Sequence, residues 1–196
     1  MSTGKINITA SRIALLSAQD EQIFHAADLA NLWLIYNKNT LYTLLKRYTQ
    51  AGILYRLYKG LYSLLPFQKL DPLLLGAKAL HQFCYVSTET VLYREGYISQ
   101  KPTAFTFLSA QSLKFKIGPH QFVSRQLSEK FLYQAAGIVE IQNVRMATPV
   151  RAIADMLYLN PHYHFDKRVN WKKIKSLQQK IGYPLTPNRY APAKSK

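Results

Sequence analysis

The sequence predicts an α+β protein, with an N-terminal winged helix-turn-helix followed by a mixed α/β C-terminal domain that contains an antiparallel sheet. Three observations predict this class. Two helices and a hairpin follow one another over residues 23–65, strand-like and helix-start segments alternate after them, and 196 residues that are 48% hydrophobic can fill two small cores. We place the two domains at 1–66 and 67–182, followed by a flexible tail over 183–196.

Residues 39–51 have the pattern of the second helix of the helix-turn-helix. Asn39 or Thr40 can cap its start, and Gly52 can end it. Apolar residues recur at helical spacing and define one face, namely Leu41, Leu44, Leu45 and Tyr48. The opposite face is polar and cationic and has no carboxylate, which is the composition expected of a helix that contacts DNA.

A hairpin with a basic tip is predicted directly after this helix. Segments 53–57 and 61–65 are rich in β-formers, and Tyr58, Lys59 and Gly60 separate them. A helix followed at once by a basic hairpin is the order found in a winged helix.

Two shorter helices complete the predicted winged domain. An amphipathic segment over 23–33 stops a few residues before the helix described above, which gives the spacing of a helix-turn-helix. A further helix over 11–19 is expected to pack behind both, and residues 1–10 are expected to be frayed.

The charge of the chain indicates a polyanionic partner. The formal net charge is +16, and no acidic residue occurs between Asp28 and Asp71, although six Lys and Arg residues do. An ordinary solvated face mixes both signs. No apolar run approaches the length of a membrane span, so we expect a cytoplasmic protein with double-stranded DNA, and not a membrane, as its partner.

Candidate DNA-contacting residues lie on the outward face of the second helix and on the hairpin. They are Lys38, Asn39, Thr40, Tyr42, Thr43, Lys46, Arg47, Arg56, Tyr58 and Lys59. A second basic surface is predicted near the C-terminus, where Asn170 can cap an amphipathic helix that ends near Gly182. Its candidate accessory residues are Lys172, Lys173, Lys175 and Lys180.

The second domain is predicted from cap, proline and alternation signals. Asp71-Pro72 and Thr148-Pro149 are helix starts, the second leading into a helix over 150–159, and Ser87 is a candidate cap for a helix that ends at Gly96. Segment 83–86 is predicted to be a short buried strand, and four further segments have strand composition: 104–108, 113–117, 121–127 and 138–144. We interpret these four as an antiparallel sheet with one solvated face.

Little in the sequence suggests catalysis. Apart from Asp20-Glu21, at a predicted helix end, close carboxylate pairs do not occur, and neither do phosphate-binding glycine loops or nucleophile motifs, so we expect no enzymatic activity, no cofactor and no metal site. His162, His164 and Asp166 have a weak metal-ligand spacing that is more typical of a loop. Asp155 is interpreted as a helix-surface or capping acid that pairs with Arg151 at i−4. Cys84, the only cysteine, lies in an apolar run and is expected to be a buried thiol.

Four segments carry a resemblance to a known family. They are FHAADLANL at 24–32, NTLYTLLKRYTQAGILYRLYKGLYSL at 39–64, YVSTETVLYREGYI at 85–98 and ATPVRAIADMLY at 147–158. In this order and spacing the chain resembles the AbiEi-family antitoxins of type IV, or abortive-infection, toxin-antitoxin systems. The chain departs from that family in its short and unusually basic C-terminal region.

The resemblance implies a transcriptional repressor whose winged helix binds inverted repeats in the promoter of its own operon. It also implies that the second domain counteracts a nucleotidyltransferase-like toxin in phage defence, without forming a stable complex with it. Two other classes stay open on the residues alone. One is a basic RNA-binding or structural nucleic-acid protein, and the other is a winged-helix-delivered enzyme with a site around Asp155 and His162.

Overall fold

The structure is a computed structural model that describes residues 3–187, with side chains from residue 8 onward. The chain divides into two compact units, one ending at Asp71 and the other beginning at Pro72. The fold is a mixed α+β architecture with one sheet in each unit. None of the helices between residues 3 and 187 has the length and apolar composition that crossing a membrane requires.

In its described part, which begins at Thr3, the first unit contains three helices and a three-stranded antiparallel sheet. The helices are α1 (Thr3–Ser17), α2 (Ala26–Leu32) and α3 (Lys38–Gln50). The strands are β1 (Ile23–His25), β2 (Tyr55–Tyr58) and β3 (Leu61–Ser63), arranged in the order β1-β3-β2. A 3₁₀ turn over Phe67–Lys69 follows the sheet.

The core of this unit holds α3 in place through its apolar stripe. Leu41, Leu45 and Tyr48 are buried, together with side chains from the other two helices and from the sheet. The Trp33 ring of the turn after α2 meets the Tyr48 ring edge-on at 5.7 Å between centroids. Since one side of α3 is fixed in this way, its opposite side is left facing solvent.

The start of the chain differs from the prediction. Helix α1 begins at Thr3 and not at residue 11, so the frayed segment predicted over 1–10 is wrong for its described part. Residues 23–25 form β1 instead of joining the helix of 23–33, because Ile23 pairs with Ser63 of β3. A strand of three residues is too short to show periodicity, which is why the sequence did not mark it.

The cap of α3 also lies earlier than predicted. Asn37 is the N-cap residue, and its side-chain oxygen accepts a hydrogen bond from the Thr40 amide at 3.1 Å. Asn39 and Thr40 therefore lie in the first turn of the helix and not at its cap. The end of α3 is as predicted, because Gly52 follows the C-cap residue with a φ of +70°.

The hairpin turn between β2 and β3 lies against the end of β1. Gly60 has a φ of +68°, and a Cβ atom there would approach the His25 ring nitrogen at 3.3 Å. The Gly60 carbonyl accepts a hydrogen bond from the Ala26 amide at 2.7 Å. The turn is thus fixed by the same segment that starts α2.

From Pro72 to residue 187, the second unit contains five helices and a six-stranded sheet. The helices are α4 (Pro72–Leu80), α5 (Glu89–Arg94), α6 (Glu129–Leu132), α7 (Pro149–Leu159) and α8 (Trp171–Ile181). The strands are β4 (Cys84–Val86), β5 (Phe105–Ser109), β6 (Leu113–Ile117), β7 (His120–Gln126), β8 (Ile138–Ile141) and β9 (Val144–Ala147). Their order in the sheet is β6-β7-β5-β4-β9-β8.

The sheet is mixed and not antiparallel as predicted. Strand β4 pairs with β9 in parallel, and β5 pairs with β7 in parallel. The predicted strand over 138–144 is in fact the hairpin of β8 and β9, with Gln142 and Asn143 at positive φ in a two-residue turn. Pairing direction depends on partners distant in sequence, which local alternation does not reveal.

Two further predictions for this unit fail. Ser87 does not cap α5, since the N-cap residue is Thr88, which has a φ of +49° and makes no capping bond. The tail predicted to be flexible from residue 183 is ordered as far as residue 187, because Tyr183 and Thr186 are buried. Thr186 exchanges two hydrogen bonds with Gln178 of α8. Residues 188–196 of the predicted tail lie outside the described residues.

Candidate nucleic-acid interface

The exposed face of α3 is a continuous row of polar and cationic side chains. Asn39, Thr43, Lys46 and Gln50 fall on one helical row and are all exposed. Tyr42, 51% exposed, borders the row on one side, while Thr40 and Arg47 border it on the other. Periodicity alone therefore identified which side of this helix is free of the core.

All ten predicted contact residues lie in the first unit, on α3 or on the hairpin. Nine of them are exposed, and Tyr58 is half-buried. The cationic members of the hairpin are Arg56, on β2, and Lys59, in the turn beside Gly60.

Helix α3 and the hairpin are neighbours, and a buried tyrosine marks where they meet. Tyr62 of β3 is 4% exposed and lies directly opposite Arg56 of β2. Burial raises the pKa of the Tyr62 phenol, the Arg56 charge lowers it, and the Tyr42 phenol raises it further. Tyr62 also lies in the buried core that holds Leu41, Leu45 and Tyr48 of α3, so the hairpin and the helix share one core.

The cations of α3 and the hairpin have no anionic partner among the described residues of the unit. Residues 29–70 contain no carboxylate. Among residues 8–187, no acceptor binds the side chains of Lys46, Arg47, Arg56 or Lys59. Unpaired cations cost little while they are hydrated, and they are available to an external polyanion.

A cavity on one flank of α3 contains a residue that the sequence did not mark. The cavity is about 440 Å³ in volume and is lined by Arg12, Ile35, Asn39, Thr40, Thr43, Leu44 and Arg47. Arg12 belongs to α1 and is far from α3 in sequence. Only the packing of the two helices brings its side chain beside Arg47.

In the second unit, α8 carries the predicted accessory surface. Lys172, Lys173 and Lys180 are exposed and Lys175 is half-buried, while Ile174, Gln178 and Ile181 are buried on the other side. Asn170 caps the helix as predicted, accepting a hydrogen bond from the Lys173 amide at 3.1 Å. The lysines thus form a basic strip whose backing is fixed by apolar packing.

A buried polar cluster lies at the centre of the second unit. Arg151 and Asp155 of α7 are both 0% exposed, and Arg151 Nε donates to Asp155 Oδ1 at 2.8 Å. Asp155 accepts two further hydrogen bonds at 2.7 Å, from the hydroxyls of Ser87 and Tyr183. The predicted i−4 pairing is confirmed, but the predicted surface position of Asp155 is wrong.

Arg151 is saturated with acceptors. Its guanidinium donates to the carbonyls of Phe131, Gln134 and Ala136 and, at 2.7 Å, to the Tyr85 hydroxyl. Burial acts to lower the pKa of Arg151, but Asp155 and the neighbouring phenols outweigh it, so the pKa is raised. The arginine stays charged and joins α7 to the backbone around α6.

Burial raises the pKa of the Asp155 carboxyl, while Arg151 and the hydroxyls of Ser87 and Tyr183 act in the opposite direction. Three donors converge on its two oxygens, which is the geometry of an ionised carboxylate. Because the acid is enclosed on all sides, this cluster is a structural centre of the unit and not a site open to substrate.

The remaining candidate groups do not converge. Asp166 accepts hydrogen bonds from the Ser99 amide, at 2.6 Å, and from the Ser99 hydroxyl. Across residues 8–187, no group of three or more potential metal-ligating side chains comes together. Cys84 is buried as predicted, and burial raises the pKa of its thiol to about 11.

Known proteins similar to this chain inform its fold and not its function. No family model matches the sequence, and no characterised protein matches it. Among solved structures, the chain is similar to the RV2827C protein from Mycobacterium tuberculosis, with a TM-score of 0.52 and 12% sequence identity. The match covers 89% of this chain and 72% of that chain, and at this identity it shows a likeness of fold alone.

Proposed function

We propose that the first unit is a winged helix-turn-helix that binds double-stranded DNA through α3 and the β2–β3 hairpin. The observation that carries this proposal is the exposed face of α3, which is polar and cationic, lies beside a basic hairpin and has no carboxylate partner in the unit. Helix α3 has 13 residues. An α-helix with its side chains is about 10–12 Å in diameter, which fits a major groove about 12 Å wide.

Each part of the face has a distinct role in this proposal. Thr43 and Lys46, at the centre of the helical row, contact base edges and supply sequence preference. Arg56 and Lys59 of the hairpin contact phosphates or enter the minor groove, which positions the unit without reading sequence. The α8 lysines of the second unit add affinity that does not depend on sequence.

We further propose, on the resemblance to AbiEi antitoxins, that the protein represses its own operon at inverted repeats and counteracts a nucleotidyltransferase-like toxin. It does so by binding and not by catalysis. This part of the proposal predicts a toxin gene beside this one, and co-expression of the two proteins should rescue growth that the toxin alone arrests.

Competition binding tests the DNA-reading role directly. A duplex is first selected from a random library with the full chain, and affinities are then compared between it and a scrambled duplex. Thr43→Ala and Lys46→Ala should each weaken binding to the selected duplex by about 1–3 kcal/mol and affect the scrambled duplex less. Lys69→Ala, at an exposed lysine of the same unit outside the face, is the matched control.

Equal losses on both duplexes would show that Thr43 and Lys46 contact only the backbone. Preference for single-stranded RNA over the selected duplex would instead favour an RNA-binding protein.

A further inference from the structure

Two arginines from different helices line one cavity on the flank of α3. Arg12 of α1 is half-buried, whereas Arg47 of α3 is exposed. Among residues 8–187, no protein acceptor binds either guanidinium. Two like charges that share a cavity without a counter-ion form a site that an anion stabilises.

The other lining residues fit an anion with several acceptor oxygens. Asn39 and Thr40 carry an amide and a hydroxyl that can donate, and no carboxylate lines the cavity. Ile35 and Leu44 supply the apolar part of its wall. A guanidinium presents a planar fork of donors that matches a phosphate, so two of them can bind different oxygens of one group.

The place of the cavity on α3 indicates which phosphate it takes. Tyr42, whose phenol raises the pKa of Tyr62 in the hairpin, borders the row of Thr43 and Lys46 on one flank, and the cavity residues Thr40 and Arg47 border it on the other. A helix in the major groove has a phosphate backbone on each side. The hairpin faces one of these strands, so the cavity faces the other.

We propose that Arg12 and Arg47 together clamp a backbone phosphate of bound DNA, on the strand opposite to that contacted by the hairpin. This inference rests on the proposed function of the first unit. It adds Arg12 to the interface as a phosphate-binding residue, and it assigns Arg47 to the backbone and not to a base edge.

The first test measures affinity against salt with the full chain and the selected duplex. Arg12→Gln should weaken binding by about tenfold on the selected and the scrambled duplex alike, because it removes a charged contact that carries no sequence information. The slope of log K against log salt should become shallower by about 0.9, the value for one phosphate contact. Lys69→Gln removes the same charge from the same unit outside the cavity and should change neither quantity.

The second test locates the phosphate. Duplexes that carry a single neutral methylphosphonate are scanned, and at one position per bound unit the wild type should lose about tenfold in affinity. Arg12→Gln and Arg47→Gln should each lose much less at that same position, because the contact is already missing. Arg12→Lys keeps the charge but not the fork, so it should bind between wild type and Arg12→Gln and guards against a folding defect.

The outcomes separate the inference from the proposed function. A wild type that prefers the selected duplex, with Arg12→Gln indistinguishable from Lys69→Gln, would overturn the phosphate clamp and leave the proposed function intact. The clamp would also be overturned if the two variants, Arg12→Gln and Arg47→Gln, lost the effect of the methylphosphonate at two different positions, because the two arginines would then contact different phosphates. A wild type that binds no duplex would overturn the proposed function and the clamp with it.

Discussion

Asp155→Asn should destabilise the second unit by about 3 kcal/mol, because it removes the carboxylate that, alone among residues 8–187, contacts the buried Arg151. The substitution keeps the shape of the side chain. Its amide oxygen can still accept from Arg151 and Tyr183, and its amide nitrogen can donate to the Ser87 hydroxyl. Packing and hydrogen-bond number are thus preserved, and charge is the quantity that changes.

Two estimates of the magnitude agree. Removing one partner of a buried ion pair costs about 3–5 kcal/mol, and the carbonyls that still bind Arg151 place this case at the lower end. Counted by contact, three hydrogen bonds to a charged carboxylate become bonds to an uncharged amide. Each such bond weakens by about 1 kcal/mol, which again gives about 3 kcal/mol.

Urea unfolding followed by ¹⁹F NMR of fluorotryptophan measures this effect in the correct unit. Trp33 lies in the first unit and Trp171 in the second, so the Trp171 resonance reports the unit that contains Asp155. Glu140→Gln, the same carboxylate-to-amide change at an exposed position of β8, is the control and should cost less than about 0.5 kcal/mol. If Asp155→Asn lost as little free energy of unfolding as the control, the conclusion that the buried charge of Asp155 stabilises the unit would be refuted.

Two other perturbations have defined outcomes. Hydrogen bonds from the Ser99 hydroxyl and then its amide hold the pKa of Asp166 below its ordinary value. The ionised carboxylate therefore stabilises the fold at pH values above that ordinary value, and this stabilisation is lost as the pH falls through the lowered pKa. Ser99→Ala should therefore raise the pKa of Asp166 in a carboxyl NMR titration. The free energy of unfolding that the variant loses relative to wild type should disappear at acid pH. An unchanged pKa of Asp166 would contradict the hydrogen bond from the Ser99 hydroxyl. Changing the four α8 lysines to glutamine should weaken binding to selected and scrambled duplexes by the same factor. The difference in affinity between this variant and the wild type should become smaller at high salt. Protection from a co-expressed toxin should survive, and its loss with DNA binding intact would assign α8 to the toxin instead.

The elements that the sequence predicted correctly are those with local physical signals. Thr148-Pro149 joins a capping side chain to a proline at the first helical position, and α7 begins there. Strand β6 occupies the predicted residues 113–117, where apolar and lysine side chains alternate. The outward face of α3 was predictable for the same reason, since one helical stripe fixes which side is buried.

The parts that were missed depend on contacts between distant residues. The i−4 spacing of Arg151 and Asp155 predicts their pairing but not their burial, which arises because Tyr85, Ser87 and Tyr183 close around them. The parallel pairing of β4 with β9 joins strands about 60 residues apart in the chain. Arg12 reaches the flank of α3 only through the packing of α1.

The segments that carry the family resemblance occupy different environments in the two units. In the first unit the segment 39–64 contributes an exposed face, so a likeness there extends to a surface that can bind a partner. In the second unit the segments 85–98 and 147–158 meet in the interior, where Ser87 donates to Asp155 and Arg151 donates to Tyr85. A likeness among buried residues of this kind indicates a similar fold and says little about a binding partner. The DNA-binding part of the proposal therefore rests on surface chemistry, whereas an antitoxin surface must be sought among exposed groups of the second unit, beginning with α8.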